Sequence, residues 1–251
     1  MDIRLIPGIM QNQLHWPKAA ALMERWFSSD PNDRPETAAP ERTIIGMEWA
    51  MGFERARQAY DAMVTTRAWC DRESQRRISH WLWTQNKLTS RPMSFGVQNF
   101  SAASPSTLTN DCICTRAVGG LLDTVDEMFG ALGRFDFRAV VRGTVRPVPT
   151  SRAAPVTTRS TARPPSTLTA YEVSIDSVGI YLWDSYDFNQ NQDLGYWNDF
   201  GVTRSPLSGY DLVCNADYRV WRSQHEFGGD FCIFSDVRTI RRHPPDTFVT
   251  F

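Results

Sequence analysis

The feature that most constrains this chain is a change of hydrophobic period near Gly133. Before it, apolar residues recur at the spacing of a helix. After it they alternate, as in a strand with one face buried. In His15–Phe27 (HWPKAAALMERWF), Ala19, Leu22, Met23 and Trp26 form a stripe, and Pro17 sits where a first helical turn accepts proline. Met47, Ala50, Met51, Phe53, Ala56, Tyr60 and Met63 predict a helix over Ile44–Thr65, and Ile78, Trp81 and Leu82 predict another over Trp69–Leu88. Thr89–Thr109 is rich in Ser, Thr and Pro and reads as a loop, and Val118–Leu132 reads as a short helix. Beyond Gly133, Phe135, Phe137 and Ala139 alternate with Asp136 and Arg138. Tyr171, Val173 and Ile175 do the same, and the phase shifts at Asp176-Ser177 before Val178, Ile180 and Leu182. A shift of one residue predicts a tight turn or bulge. Asn215 is placed to cap a helix reaching about His225, with Gly228 past its end, and Phe231, Ile233 and Val237 predict a final strand.

These patterns predict an α+β fold in which an N-terminal helical part packs on a C-terminal antiparallel, partly open, barrel-like sheet. The expected division is a helical region at 1–132 and a β region at 133–251 that carries the site. Within the latter, Thr150–Thr169 has little to bury and reads as a mobile loop. The chain has 251 residues, with 27 Lys plus Arg against 28 Asp plus Glu, a net charge of −1 that argues against a general nucleic-acid binder. No run of about 18 apolar residues predicts a transmembrane segment, and the opening residues lack the basic and apolar blocks of a signal peptide. Five cysteines are an odd count in a large chain, which argues against a disulfide framework, and Cys112-x-Cys114 lacks a second ligand pair for zinc.

The usual catalytic fingerprints are missing: no G-x-S-x-G, H-E-x-x-H, phosphate-binding loop or G-x-G-x-x-G is present. The densest polar cluster is Trp183-Asp184-Ser185-Tyr186-Asp187-Phe188-Asn189. On a strand Asp184 and Tyr186 share a face and Asp187 takes the other, so the two carboxylates meet only if the chain bends after Tyr186. So placed, Asp184 and Asp187 can hold Mg²⁺, or one can act as a general base. Asp and Asn after a strand are equally ordinary turn formers. Arg134–Arg163 holds seven Arg and one acid, Asp136, whereas Asp184, Asp187, Asp193 and Asp199 follow one another without an intervening base. Brought together, such groups suit a phosphate ester; apart, they are solvated faces. On the predicted C-terminal helix Tyr218, Arg222 and His225 share a face, which offers a guanidinium and a proton donor, or simply a histidine at a helix end.

Three stretches together resemble domain-of-unknown-function family 6402. They are IPGIM with HWPKAAALMERWF, then RGTVRPV with YEVSIDSVGIYLWDSYDFNQNQDLGYWN, and last CNADYRVWRSQHEFGGDFCIFSDV. The resemblance spans nearly the whole chain. Members occur beside type VI secretion components, so it implies an antibacterial effector made in the cytoplasm, delivered by a secretion carrier or spike protein, and held in check by a cognate immunity protein. Asp184-x-Tyr186-Asp187 is also similar to the D-x-Y-D motif of colicin M-type bacteriocins. That similarity implies Mg²⁺-dependent cleavage of the lipid-linked peptidoglycan precursor lipid II in the periplasm of a target bacterium. The colicin M pattern continues with His-Arg, where this chain has Asp193-Leu194. In the resulting expectation Asp184 and Asp187 hold the metal, Tyr186 positions the phosphate, and Arg222 and His225 replace the missing pair from another element. The competing expectations are a membrane-disrupting toxin built on the Trp-rich helices between Trp49 and Trp83, and a structural or adaptor protein of a secretion particle.

Overall fold

The computed structural model describes residues 1–120, 123–148 and 169–251. In chain order the elements are α1 (Ile6–Asn12), α2 (Pro17–Ser28), α3 (Met47–Met51), α4 (Glu54–Thr65), α5 (Arg72–Thr84), β1 (Met93–Gly96), α6 (Pro105–Asn110), β2 (Cys114–Val118), α7 (Glu127–Leu132), β3 (Phe135–Val148), β4 (Ala170–Tyr186), β5 (Asp193–Asn198), β6 (Gly201–Thr203), β7 (Asp211–Cys214), α8 (Asn215–His225), β8 (Phe231–Phe234) and β9 (Arg238–Thr250). The fold is α+β, with helices concentrated in the N-terminal part and antiparallel sheets in the C-terminal part. Among the described residues one sheet has the order β1-β3-β4-β8, with β2 also on β3 and β9 also on β4, and a small second sheet has the order β6-β5-β7. The larger sheet does not close into a barrel.

Two compact units form, each from three segments of the chain. The first comprises 1–62, 116–137 and 181–237. Its core is organised on Trp26, which is fully buried on the apolar stripe of α2. Around it, with ring centroids 4.9–6.0 Å away, stand Phe27, Phe188, Tyr218 and Trp221. Gly228 lies against that indole at φ +98°, where an added Cβ would sit 2.5 Å from the ring. Asp126 caps α7 through the Phe129 N–H and pairs with Arg55.

The second unit comprises 63–115, 138–180 and 238–251. Asp71 caps α5 by accepting from the Ser74 N–H. Trp69 is buried, and its indole N–H donates to Asp246 at 3.0 Å. The phase shift at Asp176-Ser177 is a bulge: β4 pairs with β9 on both sides of it, and the register slips between Ile175 and Ser177. Arg142 and Arg146, spaced four apart on β3, pair with Asp176 and Glu172 of β4.

Several elements differ from the sequence reading. The helix predicted over Ile44–Thr65 breaks at Gly52 into α3 and α4. The loop predicted over Thr89–Thr109 contains β1 and the start of α6, and Ser104 caps that helix through the Thr107 N–H. The helix predicted from Val118 begins at Glu127, because Gly119 adopts φ +97° and Asp123 accepts from the Gly120 N–H, which holds a turn there. Cys214, not Asn215, is the N-cap of α8, and its own N–H donates to Asp217. Glu226 in the left-handed region, not Gly228, ends that helix. The final strand predicted through Val237 stops at Phe234, and β9 follows with little apolar alternation. The loop expected over Thr150–Thr169 lies outside the described residues except for Thr169.

Candidate functional site

The first unit contains a pocket of about 390 Å³. Its walls come from four parts of the sequence. Met10, Trp16 and Met23 come from α1, α2 and the turn between them. Phe129–Arg134 come from the end of α7. Asp184–Phe188 close β4, and Gln190, Gln192, Leu194, Trp197, Asn215 and Tyr218 complete the lining.

Strand pairing fixes the polar part of this wall. Trp183, Asp184, Ser185 and Tyr186 stand opposite Phe234, Ile233, Cys232 and Phe231 of β8. Tyr186 stacks on Phe231 with ring centroids 5.1 Å apart, and Phe188 stacks on Tyr218 at 4.0 Å. β4 ends at Tyr186, so Asp187 is released from the alternation and lines the same pocket as Asp184 and Tyr186. Its carboxylate accepts from the Ser185 hydroxyl at 2.6 Å and from the Asn189 N–H at 3.2 Å. These neutral donors orient the group without cancelling its charge. Asp184 is buried, at 8% exposure. Burial first, and then the nearby Asp184 charge, push the Tyr186 phenol well above its ordinary pKa. Tyr186 therefore stays protonated and can donate a hydrogen bond.

The loop after the motif is tied down by a residue that no sequence pattern singles out. Arg219 of α8 donates to the carbonyls of Phe188 at 2.7 Å and Gln190 at 2.9 Å, and to the Asn191 side chain at 2.8 Å. Among the described residues of the arginine-rich stretch, Arg134 lines the pocket, at an exposed position. Asp193 and Asp199 do not line it.

Arg222 and His225 also lie outside the lining. The Arg222 guanidinium pairs with Asp230, which is fully buried and also accepts from the Trp26 indole N–H at 2.8 Å. The same guanidinium sits 5.2 Å from the centroid of the Trp26 ring. His225 is exposed and stacks on Trp221 at 4.6 Å, with its Nδ1 2.9 Å from the Trp221 carbonyl. The structure thus brings Asp184, Tyr186 and Asp187 to one pocket and leaves Arg222 and His225 outside its lining.

Among the described residues, no three His, Cys, Asp or Glu side chains gather to hold a metal ion. Asp184 and Asp187 supply two carboxylates, a donor set that Mg²⁺ uses when substrate phosphate and water complete its coordination. No helix among the described residues is long and apolar enough to cross a membrane.

Fold and site together define an α+β protein with a pocket walled by aromatic rings and two aspartates. The family model described as "Family of unknown function (DUF6402)" matches residues 1–208 and 204–250, and the chain belongs to that family. No curated protein and no solved structure gave a match to it.

Proposed function

We propose that this pocket is the active site of a Mg²⁺-dependent hydrolase that cleaves a phosphoester or pyrophosphate bond in a lipid-linked cell-wall precursor, lipid II. In this reading the protein is an antibacterial effector toxin acting in the periplasm of a target cell. It is carried there by a secretion-system component and neutralised at home by an immunity protein. The observation that carries the reading is the convergence of Asp184, Tyr186 and Asp187 on one pocket wall.

Asp184 and Asp187 are the residues that would hold the metal, and the ion would supply charge neutralisation at the phosphate. Asp187 keeps its orientation through Ser185 and Asn189, and the loop behind it is pinned by Arg219. Tyr186, held in its protonated form, donates a hydrogen bond to a phosphate oxygen. Arg134, at the exposed side of the pocket, takes the charge-balancing role that the sequence reading gave to Arg222. His225 takes no part in this arrangement.

The test is to incubate the purified chain with lipid II and separate lipid from water-soluble products. Mg²⁺-dependent release of a phosphorylated saccharide, abolished by chelation and by Asp187→Asn, is the expected result. An intact precursor under all conditions would refute the reading.

A further inference from the structure

The lining of the pocket sorts by charge. Asp184 and Asp187 face it, and Arg134 is the one cationic side chain in the lining among the described residues. Without a metal held by Asp184 and Asp187, a phosphate in the interior would meet two like charges. The other polar side chains of the wall are neutral: Ser185, Tyr186, Gln190, Gln192, Asn215 and Tyr218. Asn215 is 3% exposed, and its amide oxygen has no hydrogen-bond partner among the described residues. A buried polar group left unpaired is unfavourable, and a ligand hydroxyl or amide N–H relieves it. Trp16 and Trp197, both buried, add indole rings to the same wall. Aromatic faces for C–H surfaces, with neutral amides and carboxylates for hydroxyl and acetamido edges, match the amphipathic surface of a sugar ring.

We propose that the pocket is a saccharide site in which Asn215 recognises a hydroxyl or acetamido group of an N-acetylated sugar. The sugar's place within a cleaved substrate rests on the hydrolase reading; its binding does not. Asn215 acts here as a specificity-determining residue. Its position is set by the end of β7 and the first turn of α8, where its N–H donates to the Gln192 carbonyl at 2.9 Å.

The probe is N-acetylglucosamine, titrated into the full-length chain and followed by saturation-transfer NMR, with inorganic phosphate as the comparison. The parent chain and Asp193→Asn, which lies outside the lining, should both bind the sugar. Asn215→Leu should weaken binding about tenfold, the discrimination expected when one buried hydrogen bond is lost. Gln192→Ala, at an exposed position, should weaken it several-fold while the chain stays folded, so the test survives if Asn215→Leu does not fold. Absence of sugar binding by the parent, or binding unchanged in Gln192→Ala and in folded Asn215→Leu, would overturn the saccharide site. Sugar binding without any Mg²⁺-dependent cleavage of lipid II would uphold the site and remove the hydrolase reading instead.

Discussion

The end of β4 and the end of α8, both within the first unit, place charged side chains beside aromatic rings and use them in opposite ways. At the end of β4, Asp184, Tyr186 and Asp187 line a pocket, and the partners of Asp187 are a hydroxyl and a backbone N–H. At the end of α8, Arg222 is committed to Asp230 and to the face of Trp26, and His225 to Trp221. Local charge density therefore does not mark a site. What matters is whether a charge is cancelled inside the protein or only oriented and left facing a cavity.

The comparison breaks most sharply at Arg222. Arg222→Ala leaves Asp230 buried without its counter-ion, and should lower stability by about 3–5 kcal/mol in a denaturation experiment. Burial already raises the pKa of Asp230, against the pull of Trp26 and Arg222. An acid whose folded pKa is raised destabilises the fold above that pKa, so the deficit should shrink as pH falls through it. On the proposed reading, toxicity per folded molecule should be unchanged. A variant that melts like the parent yet is not toxic would return Arg222 to the active site.

Gly228→Ala is the next largest effect. The methyl would strike the Trp26 ring, and the backbone is in a region side chains rarely adopt. A loss of about 1–3 kcal/mol is expected, read as a lower melting temperature. An unchanged melting temperature would show that Trp26 is free to move and is not the hub of this core.

Much of this architecture is legible in the sequence because it rests on local period. The alternation after Gly133, the slip at Asp176-Ser177 and the helix of Asn215–His225 are each written within a few neighbouring residues. The motif at Asp184–Asp187 is legible for the same reason. The rest of the pocket is not. Trp16, Phe129, Trp197 and Asn215 come from distant parts of the chain, and as isolated letters they read as core residues or a helix cap. Arg222 misleads because its partner lies eight residues on, across the turn that ends α8, and helical spacing says nothing about that return. β9 escapes notice because much of it is exposed, so it carries Arg, Thr and Pro where a buried strand would carry aliphatics.

His225→Ala should give the smallest change. An exposed histidine at a helix end contributes about 0.3–1 kcal/mol at most sites. The melting temperature should shift slightly and toxicity should persist. Loss of toxicity at full stability would show that His225 supplies a proton despite lying outside the pocket lining.

The central claim is that the carboxylate released at the end of β4 does chemistry and is not a turn former. Its most direct test is periplasmic killing of a test bacterium by Asp187→Ala and Asp193→Ala, each measured beside its melting temperature. Asp187 lines the pocket, whereas Asp193 is exposed at the start of β5. Asp187→Ala should reduce killing on the order of 100-fold or more, as expected when a positioned reacting group is lost, with a melting temperature close to that of the parent. Asp193→Ala should kill as the parent does. Undiminished killing by a fully folded Asp187→Ala would contradict the account.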